Sequence, residues 1–224
     1  MLLKEILDAL RYGELSQMSI GGQDPGVINQ KNFTIIANHL NLGMTVLAQR
    51  FLLKENRLEV PLVPGEYEYT IKAPDFLKVQ RIYADTGYEF NLNDLADRYS
   101  ILNSTPKVLK LPHAVVDQKD NLPAALKTKN LLVIYRGKPM PLDVDGCAIS
   151  DEEDLEVELP HPFLEPLCYY VASRLNNPVG MVNEFHAGNT YMAKYEAACR
   201  RLEQDNMAVD RASERERFER KGWI

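Results

Sequence analysis

Chemistry in this chain would have to come from four histidines, three cysteines, a few glycine-rich turns and one carboxylate run. His39, His113, His161 and His186 fall in different segments, and none has a second histidine or a carboxylate at a metal-ligand spacing. Serine, histidine and aspartate are present, but no G-x-S-x-G turn presents a nucleophile. Cys147, Cys168 and Cys199 are odd in number and widely spaced, with no CxxC pair; this predicts reduced thiols made in a cytoplasm. Gly21, Gly22 and Gly26 lack the strand before them and the Lys-Ser/Thr after them that a phosphate loop needs. Asp143-Val-Asp145-Gly146 resembles the start of a calcium loop, yet its glycine comes too early and no glutamate stands at the twelfth position. A turn leading into the acidic patch Asp151–Asp154 is the simpler reading. The expectation is a protein without catalytic residues, metal or cofactor; a small hydrolase built on one histidine is the alternative from another class.

Residues suited to binding are more evident. Tyr67, Tyr69, Tyr83, Tyr88 and Tyr99 crowd one stretch, and tyrosine buries apolar area while its hydroxyl keeps a hydrogen-bond partner. They are candidate subunit-interface residues; the alternative is ordinary half-buried strand positions. At the other end, Arg211 to Lys221 is densely charged but carries Phe218, and Trp223 and Ile224 follow it. Trp223 is the single tryptophan, and tryptophan and arginine are the types most enriched at binding hot spots. Such a tail folds back onto its own subunit, stays disordered, or docks on another chain. The formal net charge of −6 argues against tight nucleic-acid binding, which needs clustered Lys and Arg.

The elements that would position these residues follow from periodicity. Leu2, Leu3, Ile6, Leu7 and Leu10 mark an amphipathic helix over Leu2–Leu15, and Ser19–Gly26 reads as a loop. Lys4, Glu5 and Asp8 break any signal-peptide core, and no run approaches the roughly 20 apolar residues of a bilayer span. From Asn29, a plausible N-cap, Phe33, Ile36, Leu40, Gly43, Leu47 and Phe51 form the stripe of a long helix ending near Leu53. Strands are expected around Glu66–Lys72, Val79–Tyr83, Val108–Leu111, Leu131–Tyr135 and Val157–Leu159, with a hairpin through Asp85-Thr-Gly87 into Tyr88, Phe90 and Leu92. Asp117–Asn130 reads as an exposed loop. Helix resumes at His161-Pro162 with Leu164, Leu167, Val171 and Leu175, and again over Val182–Asn206 with Phe185, Gly188, Met192, Tyr195, Cys199 and Leu202.

With 45% hydrophobic and 26% charged residues, no repeat and no low-complexity linker, the chain reads as one α+β unit with a tail. Its parts are an N-terminal helix pair (1–56), a β-rich insertion (57–160), a C-terminal helix pair that completes a helical body (161–206) and an extended tail (207–224).

Four segments, in this order, resemble the head-to-tail adaptor (connector) proteins of tailed, especially short-tailed, bacteriophages. They are Leu10-Arg-Tyr-Gly-Glu-Leu-Ser16, Ile36-Ala-Asn-His-Leu-Asn-Leu-Gly-Met-Thr-Val-Leu-Ala-Gln-Arg-Phe51, Leu167-Cys-Tyr-Tyr-Val-Ala-Ser-Arg174 and Tyr191-Met-Ala-Lys-Tyr-Glu-Ala198. The resemblance implies a virion protein at the head-tail junction: a homo-oligomeric ring, typically dodecameric, lying beneath the portal protein. It would continue the DNA channel, with DNA as passing cargo and no membrane contact, and meet tail tube or nozzle proteins on its far side. By position in such adaptors, Arg215, Phe218, Arg220, Lys221, Trp223 and Ile224 would carry the portal contact. The net negative charge suits a wall along which phosphates slide, with Asp151–Asp154 as a candidate lining. A tail-completion or tail-tube subunit is the structural alternative.

Overall fold

The computed structural model describes residues 1–16, 24–118, 121–143, 155–176 and 182–207, with backbone alone at 30, 31 and 182–187. The chain is mixed α and β and divides into two compact units, one of Met1–Leu53 with the described residues from Pro139 onward, the other of Lys54–Lys138. Each has its own apolar cluster, so the absence of a linker in the sequence does not make one core.

In the helical unit, α1 (Leu3–Ala9) runs into a π-helical turn, Leu10–Glu14. Its first turn is closed by Glu5, whose Oε2 accepts from the Leu2 backbone N–H at 2.9 Å. Leu3, Ile6, Leu7 and Leu10 are buried as the stripe predicts, whereas Leu2 faces outward. The 21-residue α2 (Gln30–Arg50) begins at the expected cap. Asn29 and Asn32 exchange side-chain-to-backbone bonds at 2.7 and 3.1 Å, a reciprocal cap built from two asparagines. Phe33, Ile36, Leu40, Leu47 and Phe51 all reach zero exposure.

A 3₁₀ turn, His161–Phe163, leads into α4 (Leu164–Leu175), and α5 (Val182–Gln204) completes the helices; α3 (His113–Val116) belongs to the other unit. Helices α2 and α4 approach closely at Gly43, where an added Cβ would lie 2.7 Å from Leu167 Cδ1 and 2.9 Å from Tyr170 Cδ1. Phe51 and Phe163 pack edge to face at 5.0 Å. Along α5 the buried stripe runs through Tyr195, Ala198 and Cys199, while Met192, expected inside, is exposed. Arg50 ties the end of α2 to α5, donating to Glu203 at 2.7 Å and Glu196 at 2.8 Å. Val157–Leu159 is not a strand: Leu2 and Glu156 form a lone bridge, and Val157 and Leu159 bury into the helical core.

The β unit holds two antiparallel three-stranded sheets. One has the order β1 (Glu55–Pro61), β6 (Asn130–Gly137), β3 (Phe76–Ala84); the other β2 (Glu68–Thr70), β5 (Val108–Lys110), β4 (Leu102–Thr105). Leu58 and Ile82 both pair with Val133, the centre of the larger sheet. The edge strand β1 alternates exposed Glu55, Arg57, Glu59 and Pro61 with half-buried Asn56, Leu58 and Val60, a pattern that discourages edge pairing. The turn after β3 forms as expected, with the Gly87 N–H bonded to the Ala84 carbonyl at 2.9 Å and Gly87 at φ 83°. The segment after it makes a bridge at Glu89 and another at Leu92 in place of a continuous strand.

Most described residues of Asp117–Asn130 are exposed, as expected of a loop, but three are not. The described part contains a 3₁₀ turn, Ala124–Leu126, with Leu122, Leu126 and Thr128 buried. Asp85 accepts from the Lys129 and Asn130 backbone N–H groups at 2.9 and 3.1 Å, which fastens this polar stretch to the β3 turn. The four-residue α3 (His113–Val116) was not foreseen either.

Candidate interaction surfaces

In the β unit, three open clefts of about 460, 280 and 520 Å³ adjoin around the end of β5 and the start of α3. Pro112 ends the strand and precedes the helix, which puts His113 at the junction of the first and third clefts. The imidazole lies against the Tyr67 ring with centroids 3.8 Å apart. The Tyr67 hydroxyl donates to both Asp117 carboxylate oxygens, at 3.2 and 3.3 Å. Desolvation, then that carboxylate, raise the Tyr67 hydroxyl above the ordinary tyrosine range, so it stays a neutral donor. On the other side Arg98 stacks over the Tyr99 ring at 4.5 Å and bonds its hydroxyl. Lys110 pairs with Glu68 at 2.8 Å. Leu95, between Asp94 and Ala96 in the same loop, is 91% exposed.

Aromatic faces, stacked cations and one protruding leucine make a surface suited to recognition. Of the five tyrosines singled out in the sequence, Tyr67 and Tyr99 meet here, both half-buried and lining clefts. Tyr69 is enclosed, with its hydroxyl held by the backbone N–H and carbonyl of Val63 at 2.8 and 3.2 Å. Tyr83 bonds Glu89 at 3.1 Å, and Tyr88 packs edge to face on Phe90. Leu95, Arg98 and Lys110 were not singled out in the sequence, and His113 was considered there only as a metal ligand or catalytic group. The signal in the sequence is a leucine set among polar residues in Asn93-Asp-Leu-Ala-Asp-Arg98, outside every expected helix or strand.

In the helical unit, the two C-terminal segments singled out in the sequence pack together. Lys194 stands over the rings of Tyr191 at 4.8 Å and Tyr169 at 5.4 Å. Tyr169 donates to Glu165 at 2.9 Å, and Arg201 reaches the same carboxylate oxygen at 3.1 Å. Burial and then Glu165 push the Tyr169 hydroxyl up to about 12. Burial likewise pushes the Cys168 thiol up to about 12 and raises Cys199, so both remain thiols and poor nucleophiles. His39 is half-buried beside Arg174, and burial followed by that cation holds it below the usual histidine range. His113 and His161 are exposed, and the side chain of His186 lies outside the described residues. Among the described residues no cluster of His, Cys, Asp or Glu is arranged to hold a metal, and no helix is long and apolar enough to cross a membrane. Asp151–Asp154, Arg215, Phe218, Arg220, Lys221, Trp223 and Ile224 lie outside the described residues.

No curated protein matches the chain. The model of one protein family, described as SU10 adaptor protein, matches residues 5–217.

Proposed function

Because the chain belongs to the SU10 adaptor protein family, we propose that it forms the ring beneath the portal of a tailed phage, joins capsid to tail and continues the DNA channel. The observation that carries this reading is the extent of the family match, which takes in both units and most of the tail. A phage structural protein needs surfaces more than reactive groups. The described side chains answer to that: buried thiols held protonated, cations stacked on tyrosines, and an aromatic ledge around His113. In this reading the helical parts, 1–56 and 161–206, build the ring body, the β-rich part, 57–160, meets tail tube or nozzle proteins, and the half-buried Tyr67 and Tyr99 of the ledge serve contacts between subunits. The tail, 207–224, contacts the portal through Arg215, Phe218, Arg220, Lys221, Trp223 and Ile224. The subunits are twelve in number if the ring matches the portal, and DNA passes without specific binding.

The test is to mix purified full-length chain, and chain lacking Arg211–Ile224, with portal rings from the same source and read the products by mass and electron microscopy. A second ring on the lower rim of the portal, formed only with the tail present, is the expected result. Binding to tail components with no affinity for the portal would transfer the protein to the tail-completion or tail-tube role.

A further inference from the structure

The 21-residue α2 spans about 31 Å, yet residues 32–49 contain no Asp, Glu, Lys or Arg. Its buried stripe accounts for one side only. On the opposite side Ile35, Asn38, Leu42, Thr45 and Gln49 recur at alternating steps of three and four, the spacing of a second contact face. Ile35 and Leu42 are 46% and 45% exposed. The outward face of a surface helix ordinarily carries the charges, and in this chain 26% of residues are charged. Loss of charge with retention of bulky apolar residues is the composition of an interface core.

Helix α5 offers the counterpart. Its outward side presents exposed Ala193 and Ala197, one turn apart, where a bulky ridge from another helix can approach closely. Arg200 continues this face one turn on and Lys194 lies beside it, and the charge-free run of α2 sets no cation against them. The two faces point away from the core that α2 and α5 share, so they cannot meet within one copy. Two different, mutually fitting patches on one subunit are what a head-to-tail contact requires, and such contacts close into rings.

We propose that the outward face of α2, centred on Ile35 and Leu42, packs on the Ala193–Ala197 face of α5 in a second copy of this chain. This rests on the ring reading above and assigns the surface that closes it.

The experiment is cysteine cross-linking of the portal-assembled protein. The variants are Leu42→Cys, Ala197→Cys and the double variant, all carrying Cys147→Ser so that the only native thiols left are the buried Cys168 and Cys199. Under mild oxidation the double variant should give a ladder of multiples of the monomer, an equal mixture of the two single variants only dimers, and each single variant alone none. Cross-linking by Leu42→Cys alone would show α2 paired with α2 and overturn the assignment. Rings that form on the portal without any cross-link would leave the ring reading standing and remove this one. Failure of the unmodified protein to assemble on the portal would remove both. As a second arm, Leu42→Glu, at an exposed position, should keep its helical circular dichroism while portal-bound protein falls at least about tenfold. Undiminished assembly by Leu42→Glu would equally count against the α2 face.

Discussion

At the scale of single residues, the titratable groups act inside the fold. His39 is held below the usual histidine range, by burial first and then by Arg174. Its neutral form is therefore the one the fold favours. Stability from it is fully present above the unfolded value of about 6.5 and is lost as pH falls through the lower folded value. Asp85 and Glu203 have depressed carboxyls, held by the Lys129 backbone N–H and by Arg50 respectively, so they lose their contribution at still lower pH. Thermal melting should begin to drop just below about pH 6.5, and His39→Gln should flatten the curve immediately below that pH. Parallel curves for the two proteins would mean that His39 does not govern this step. The sequence located His39 in a helix but did not show Arg174 beside it, because 135 positions separate them in the chain.

At the scale of elements, long periodic segments were legible and short ones were not. The stripe of α2 and its start at Asn29 are local properties, a 3.6-residue period and a side chain that bonds the backbone three positions on. Val157–Leu159 alternates like a strand, but its apolar residues are claimed by the helical core. Asp117–Asn130 is polar in composition, yet Leu122 and Leu126 anchor it and Asp85 holds its backbone. Gly43 sits within a predicted helix, where glycine costs about 1 kcal/mol relative to alanine, and only the packing explains it. Gly43→Ala should gain that propensity and lose more by pressing on buried Leu167 and Tyr170. A net loss of about 1–2 kcal/mol in chemical denaturation is expected. A more stable variant would mean that the crossing of α2 and α4 relaxes freely.

At the scale of the whole molecule, two clusters of apolar residues stand where the sequence suggested one α+β unit. The chain enters the β unit after Leu53 and leaves it after Lys138, so each cluster is assembled from its own elements. Leu40 and Ile82, both fully buried, report on one core each. Leu40→Ala and Ile82→Ala should each cost about 2–5 kcal/mol, and in calorimetry each should lower a different transition. One shared transition, shifted alike by both substitutions, would show that the units unfold together. The ring proposed above draws on this same scale, since it needs surfaces of the folded helical unit rather than any motif.

What the sequence by itself determined is what short-range physics encodes: helix periods, the Asn29 cap, the glycine turn after β3, the binding-type residues and the order of segments that marks the family. Tertiary structure alone decided which residues meet. It brought Tyr67, Tyr99, Arg98 and His113 to one ledge, enclosed Tyr69 and left an uncharged face of α2 in the open. Burial and contact depend on where distant segments come to lie, and periodicity identifies a face without saying what will cover it.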